Sequence, residues 1–332
     1  MKEVRVGVIG AGGAAQVVHL PILKRLRDVK VVAVVDPHES KARTIAERFG
    51  VPHAGRDLAK LSAVGPVDAV VVCTPTHSHE ELVLGALEAG MHVLCERPLS
   101  TSSGSVERML AAARRADRQL MAAMNQRFRL DIRSIRQFLA SGELGEVFFL
   151  RSAWLNRRHR RPQRGWRIQA ERSGGGVLMD LGVQAIDVAL WLLGYPRVER
   201  VAARFHGSGP VEDSAILLLG LENAATVSIE VTWELVAERD RNAVYVLGTD
   251  GSAETSPFRV LKALETGITD VTPPLDTPAG SLYTASYRQE WAEFLRLVRG
   301  QRPLETEDEQ IQLLRVVEAC YRSGEEGREV TL

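Results

Sequence analysis

The twelve residues VRVGVIGAGGAA, Val4 to Ala15, decide how the rest of the chain reads. An apolar run without polar alternation ends at Ile9 and passes at once into Gly10-Ala11-Gly12-Gly13-Ala14-Ala15. In this G-x-G-x-x-A spacing the first glycine permits a tight turn and the second lets the backbone approach a pyrophosphate. A helix opening there aims its free N–H groups and its dipole at the anion. The spacing alone is weak, but here it follows a strand, opens a helix and is answered by Asp36 at the end of VVAVVD. Asp36 lies 21 residues beyond Ala15, where a carboxylate hydrogen-bonds a ribose 2′-OH and repels a 2′-phosphate. The expected ligand is NAD in preference to NADP, held by Gly10, Gly12, Gly13, Ala14, Ala15 and Asp36.

Apolar runs recur downstream at Arg5–Ile9, Val31–Val35, Ala69–Cys73, His92–Cys95 and Gln119–Met124. Helical periodicity lies between them, as in Glu80–Ala89 and Ser105–Ala116. Apolar strands separated by helices imply a parallel sheet covered on both faces, with ligands beyond the carboxyl ends of its strands. That places Thr74 and Pro75 in the cofactor crevice, with His79 near the start of the next helix. No cysteine or acidic cluster joins His77 and His79, so no metal is expected.

At 332 residues the chain suits two domains, and 45% hydrophobic with 25% charged residues is a globular balance. Lys+Arg and Asp+Glu are 42 each, so no global field favours nucleic acid or a membrane. No signal peptide is visible, and no run approaches the ~18 apolar residues of a membrane span. Cys73, Cys95 and Cys320 are few, odd in number and set in apolar surroundings, as expected of reduced cysteines in a cytoplasmic protein. The basic residues are 36 Arg and 6 Lys.

Four stretches carry a family resemblance: GVIGAGGAAQVVHLP, VVCTPTHSHEELVLGALEAGMHVLCERPL, GGGVLMDLGVQAIDVALWLLG and YRQEWAEFLRLVRGQRPLETEDEQIQLLRVVEACYRSGEEGREV. Together they resemble the Gfo/Idh/MocA family (glucose-fructose oxidoreductase, inositol dehydrogenase and relatives) over essentially the whole chain. The resemblance implies an α/β protein with an N-terminal Rossmann domain, a doubly wound parallel sheet over 1–124. A C-terminal α/β domain with a large open, mainly antiparallel sheet would follow over 125–332. One side of that sheet would receive substrate and the other would form a homodimer or homotetramer interface.

The family's Glu-Lys-Pro signature, whose lysine sits beside the nicotinamide, corresponds to Glu96-Arg97-Pro98. Its second signature, an Asp followed four residues on by a His, corresponds to Asp180 and Gln184. Two of the three proton-handling residues are therefore changed. Arginine stays charged and cannot shuttle a proton, but its planar fork holds oxygens bidentately. The resemblance also implies a cis Arg97–Pro98 bond and cofactor contacts from Thr74, Pro75, His79, Glu96, Arg97 and Asn125. Gln184 can donate and accept hydrogen bonds but is no general base, which leaves Asp180 as the ready proton carrier. The bland alternative is a structural carboxylate paired with Arg97.

The stretch Arg151–Arg172 holds eight Arg and one acid. By resemblance it lies beside the substrate, where Arg164, Trp166 and Arg167 would join Arg97, Asp180, Gln184 and Asp187. Arg clusters suit phosphate, sulfonate or carboxylate groups, although a solvated or interface loop explains the pattern equally well. The expected activity is NAD-dependent oxidation or reduction of a sugar, cyclitol or sugar acid, with anionic substrates among the candidates. Two alternatives stay open: net non-redox chemistry on bound NAD, such as glycoside cleavage or epimerisation, and a silent NAD- or sugar-binding regulator.

Overall fold

The computed structural model describes residues 3–162, 165–276, 281–301 and 307–332. The chain divides into two compact units, Met1–Ala123 with Tyr287–Ile311, and Met124–Ser286 with Gln312–Leu332. The single cut expected from sequence placed Tyr287–Ile311 in the second unit. It packs with the first because Trp291 and Phe294 are fully buried there, and Trp291 Nε1 donates to His19 Nδ1 at 3.0 Å. Local periodicity shows that a helix is amphipathic without showing which core receives its apolar face.

The first unit carries a six-stranded parallel sheet in the order β3-β2-β1-β4-β5-β6. The strands are β1 Val4–Ile9, β2 Val29–Val35, β3 His53–Gly55, β4 Ala69–Val72, β5 His92–Glu96 and β6 Leu120–Ala123. Strand β3 was not expected: three residues with one buried side chain carry no readable pattern. Helices α1 Leu20–Leu23, α2 Glu39–Phe49, α3 Leu58–Ala63, α4 His79–Glu88 and α5 Ser103–Ala116 make the crossovers. Their ends follow local chemistry. Gly50 stops α2 in the left-handed region (φ 61°), and the Ser102 hydroxyl accepts from Ser105 N–H to cap α5. Strand order runs outward from β1 in both directions, so the carboxyl ends of β1 and β4 flank the crevice where such sheets take a dinucleotide.

The second unit is built on a nine-stranded sheet, order β14-β13-β12-β11-β7-β10-β9-β8-β15. Its strands are β7 Val147–Arg157, β8 Val198–His206, β9 Ser214–Leu221, β10 Thr226–Leu235, β11 Arg241–Gly248, β12 Gly251–Thr255, β13 Phe258–Leu264, β14 Gly267–Asp270 and β15 Val330–Thr331. Among the described residues of this sheet only β7 and β10 pair in parallel. Strands β13 and β14 pair as a hairpin with few buried residues and therefore little alternation to read in the sequence. Helices α6 Leu130–Ala140, α7 Ala170–Ser173 and α8 Val183–Leu192 belong to this unit. Two C-terminal helices, α9 Leu282–Val298 and α10 Glu307–Glu326, complete the chain. One face of the sheet buries Leu217, Leu219, Val227, Ile229 and Val231, and α8 packs on β7 and β10. The stretch Ala170–Leu192 is long and apolar enough to cross a membrane, contrary to the sequence expectation, but 89% of its apolar window is buried in the fold, as in a core helix.

Candidate active site

The first unit supplies a cofactor cradle. Gly10 adopts φ +94°, and a Cβ there would lie 2.9 Å from the Cys73 carbonyl, so only glycine fits the turn. Gly12 and Gly13 are different. A Cβ at Gly12 would meet nothing nearer than 3.8 Å, and at Gly13 nothing within 4 Å. Packing does not require glycine at either, so their bare backbone leaves the room a pyrophosphate needs beside the helix that follows. Ala14 and buried Ala15 lead into a π-helical segment, Ala15–His19, that continues as α1.

Asp36, just past β2, accepts from Ala11 N–H at 2.9 Å and His38 N–H at 3.0 Å, and pairs with Lys41 Nζ at 3.1 Å. Burial raises its carboxyl, but these donors outweigh burial and hold it below the ordinary range. It is an anion where the fingerprint needs one. The residues present thus fit a dinucleotide.

Thr74 and Pro75 follow β4 as expected; Thr74 Oγ1 accepts from the Ser78 hydroxyl at 2.9 Å. His79 is corrected from cofactor contact to brace. Its ring is buried, with Nε2 2.9 Å from the Thr74 carbonyl and Nδ1 3.0 Å from the Pro98 carbonyl. It ties the loop after β4 to the turn after β5, while burial pushes its pKa down against those carbonyls. Glu96 ends β5, and the Arg97–Pro98 bond is cis. Among the described residues no metal-binding cluster occurs.

The second unit holds the other half of the expected site. Asp180 lies in a helical turn, Leu178–Gly182, leading into α8. Its Oδ2 accepts from Trp233 Nε1 at 3.3 Å, and its Oδ1 lies 3.7 Å from Arg167 Nε. Trp233, on β10, carried no sequence signal, because only strand pairing brings it to this turn. Gln184 Nε2 donates to the Asp180 carbonyl at 3.4 Å, one turn back along the helix. Arg167 also lies 4.5 Å over the Trp166 ring. Asn125 is buried and donates to Ser286 Oγ at 2.9 Å.

Glu212 was also missed by the sequence reading. Its carboxylate accepts from Gly176 N–H at 2.8 Å, Leu178 N–H at 3.0 Å and Tyr321 O–H at 2.9 Å. It satisfies free donors at the start of the turn that presents Asp180. A Cβ at Gly176 would sit 2.1 Å from the Glu212 carbonyl oxygen, which explains a glycine there.

Two expectations change. Asp187 is 1% exposed and is taken up by a paired Arg127 fork and by the Tyr195 hydroxyl at 2.8 Å, so it is a structural anion and no substrate contact. Asp187→Ala strands a buried guanidinium and is expected to cost about 3–5 kcal/mol, read as a lower Tm. An unchanged Tm would contradict that role. Half of the arginine run is also spent: Arg157 and Arg160 pair with Asp240, Arg158 with Glu234, and Arg161 with Asp213 and Glu234. Arg164 lies outside the described residues.

A parallel sheet with a glycine-rich first turn and a strand-end carboxylate defines a dinucleotide-binding α/β protein. Residues 4–124 match the oxidoreductase family with an NAD-binding Rossmann fold, and residues 132–254 match the GFO/IDH/MocA C-terminal domain. The chain belongs to the Gfo/Idh/MocA family. It is 37% identical to D-glucoside 3-dehydrogenase of Escherichia coli K12 over 61% of this chain and 57% of that protein. To myo-inositol 2-dehydrogenase of Thermotoga maritima it is 29% identical over 99% and 98% of the two chains. The crystal structure of GenD2 from gentamicin A biosynthesis, in complex with NAD, superposes with a TM-score of 0.86 at 26% identity, covering 100% of this chain and 97% of that one.

Proposed function

We propose that the protein is an NAD-dependent oxidoreductase acting on a hydroxyl or keto group of a sugar, cyclitol or sugar acid, with Asp180 handling the proton in place of the family's lysine and histidine. The observation that carries the reading is the cradle itself: an obligatory Gly10 turn, two glycines that packing leaves unused, and an ionised Asp36 beside them. When bound, NAD supplies the hydride acceptor and donor at its nicotinamide ring.

The chain's own residues do the rest. Arg97 offers a fixed cation that orients substrate oxygen and stabilises charge as the C–O bond changes order. Asp180 takes the hydroxyl proton during oxidation and returns it during reduction, its carboxylate aimed by Trp233 and Arg167. Gln184 keeps the preceding turn in register by its bond to the Asp180 carbonyl. Asp36 favours NAD over NADP. Three buried free cysteines and relatives of the dehydrogenase kind support a reduced, cytoplasmic setting.

A panel of sugars, cyclitols and sugar acids, followed by NADH absorbance, tests this. Net reduction of added NAD by one member is the expected result. Turnover without net NADH favours the non-redox alternative, and no turnover leaves a silent binder. Arg167, half exposed over the Trp166 ring and next to Asp180, is the described arginine of the run placed beside the proposed proton carrier, where it would read a substrate anion. Arg167→Gln should raise KM for acidic substrates more than for neutral ones; a uniform effect would make the loop structural.

The open face of the large sheet supports self-association. Ile216 is 63% and Leu218 48% exposed on β9, and Arg151, Ala153, Leu155, Arg241, Ala243 and Tyr245 line a hollow of about 390 Å³ between β7 and β11. We take this face as a homodimer or homotetramer interface. A monomeric mass near 36.5 kDa by sedimentation would remove it.

A further inference from the structure

The most unusual buried group is a carboxyl in the first unit. Glu290, on α9, is 0% exposed, and neither carboxyl oxygen has a hydrogen-bond partner. Tyr287 and Trp291, four residues apart on one face of the same helix, flank the buried His19 ring edge-on, at centroid distances of 6.4 and 5.8 Å. An indole N–H only donates, so Trp291 fixes His19 Nδ1 as an acceptor. The Nε2 of His19 then carries the proton and donates to Glu96 Oε1 at 2.9 Å, while Glu96 Oε2 accepts from Arg97 N–H at 3.3 Å. The chain Trp291–His19–Glu96 thus ends at the Arg97–Pro98 turn.

This turn belongs to the nicotinamide half of the crevice. Asp36 marks the adenosine ribose beside β2, and the pyrophosphate belongs at the helix after β1. The other half of the dinucleotide therefore falls over the carboxyl ends of β4 and β5.

We propose that Glu290 is a positioning residue for the nicotinamide end of the site: a neutral acid buried next to Trp291, the first member of the Trp291–His19–Glu96 chain, it leaves Glu96 the single negative charge behind the Arg97–Pro98 turn. The inference rests on the cofactor reading above. Burial pushes the Glu290 carboxyl well above its ordinary value, and the Glu96 charge pushes it the same way. Burial would raise Glu96 too, but the His19 bond and Arg97 outweigh it and hold Glu96 low, so of two neighbouring acids one ionises. The other titratable groups in the field of Glu96 do not compete for that charge. The thiols of Cys73, after β4, and Cys95, on β5, are pushed up by burial and by Glu96, and burial pushes His79 of α4 down. A second anion at Glu290 would draw on Arg97, the cation proposed to orient substrate, and would favour the cationic oxidised nicotinamide over the neutral reduced one.

Infrared difference spectroscopy on the full-length protein tests this, with NADH as the probe. The expected result is a protonated-carboxyl C=O band that persists at about pH 8, disappears in Glu290→Gln and shifts when NADH binds. Should Glu290→Gln not fold, Glu290→Asp must move the band instead. No such band means an ionised Glu290 and overturns the proposal. A band unmoved by NADH, while NADH fluorescence reports binding, leaves Glu290 merely structural and also overturns it. Absence of any NADH binding would instead bring down the cofactor reading, and the positioning role with it.

Thermal unfolding gives a second measure. The unfolded chain releases this proton above its ordinary value of 4.5, whereas the native chain keeps it. Native protein binds more protons, so the Glu290 contribution is fully present below that value and is lost as pH rises. The Tm advantage of Glu290→Gln over the native sequence should therefore widen from about pH 4 to about pH 8. A constant gap would contradict the neutral form.

Discussion

Replacing Asp180 by Asn is expected to lower kcat by about 10²–10⁴-fold while NADH affinity stays nearly constant, since the loss of a positioned general base falls in that range. Asparagine keeps the shape and can still accept from Trp233 Nε1, so the change removes the proton acceptor and the charge facing Arg167 without removing the framework. Affinity should hold because the cradle of Gly10, Gly12, Gly13 and Asp36 lies in the first unit. Arg97→Lys should also reduce kcat, although it restores the residue usual in the family, because a point charge does not reproduce a planar fork. Combined with Gln184→His, it separates the alternatives. A working enzyme loses activity on its own substrate, whereas a silent binder gains weak dehydrogenase activity. Steady-state kinetics with parallel NADH titration decide the matter, and full activity in Asp180→Asn would refute the proton route.

The second large effect concerns cofactor choice. In the native protein NAD should bind at least ten-fold more tightly than NADP, and Asp36→Ser should narrow or close that gap. A hydrogen bond to a charged group contributes about 1.5–3 kcal/mol, a factor of roughly 10–100 in affinity. The substitution also frees Lys41, which Asp36 now holds at 3.1 Å, to meet a 2′-phosphate. NAD should weaken and NADP strengthen together. Equal dissociation constants for the two cofactors in the unsubstituted protein would refute this role for Asp36.

The cofactor half of the protein was legible because its signals are local. The Gly10 turn, the strand before it and Asp36 lie within one βαβ stretch, and each is demanded by backbone geometry or by a short-range charge. Most strands of the large sheet were legible as well, since β8 and β9 alternate buried and exposed residues along their length. The hairpin β13–β14 and the edge strand β3 were not, because few of their side chains are buried and a period of two leaves no trace without burial.

Sequence by itself determined the family, the parallel first sheet, the cofactor loop and the two altered signature positions, Arg97 and Gln184. Only the tertiary structure decided what these residues touch. Asp180 meets Trp233 across 53 positions of chain, Asp187 meets Arg127 across 60, and Trp291 meets His19 across 272. Such pairings follow from where whole strands and helices pack, and no periodicity in one segment encodes the partner supplied by another. The same physics moved Asp187 out of the substrate set, spent half of the arginine run on Asp213, Glu234 and Asp240, and buried Glu290 beside a charged neighbour. A side chain's type states which bonds it can make, and packing selects the one it makes.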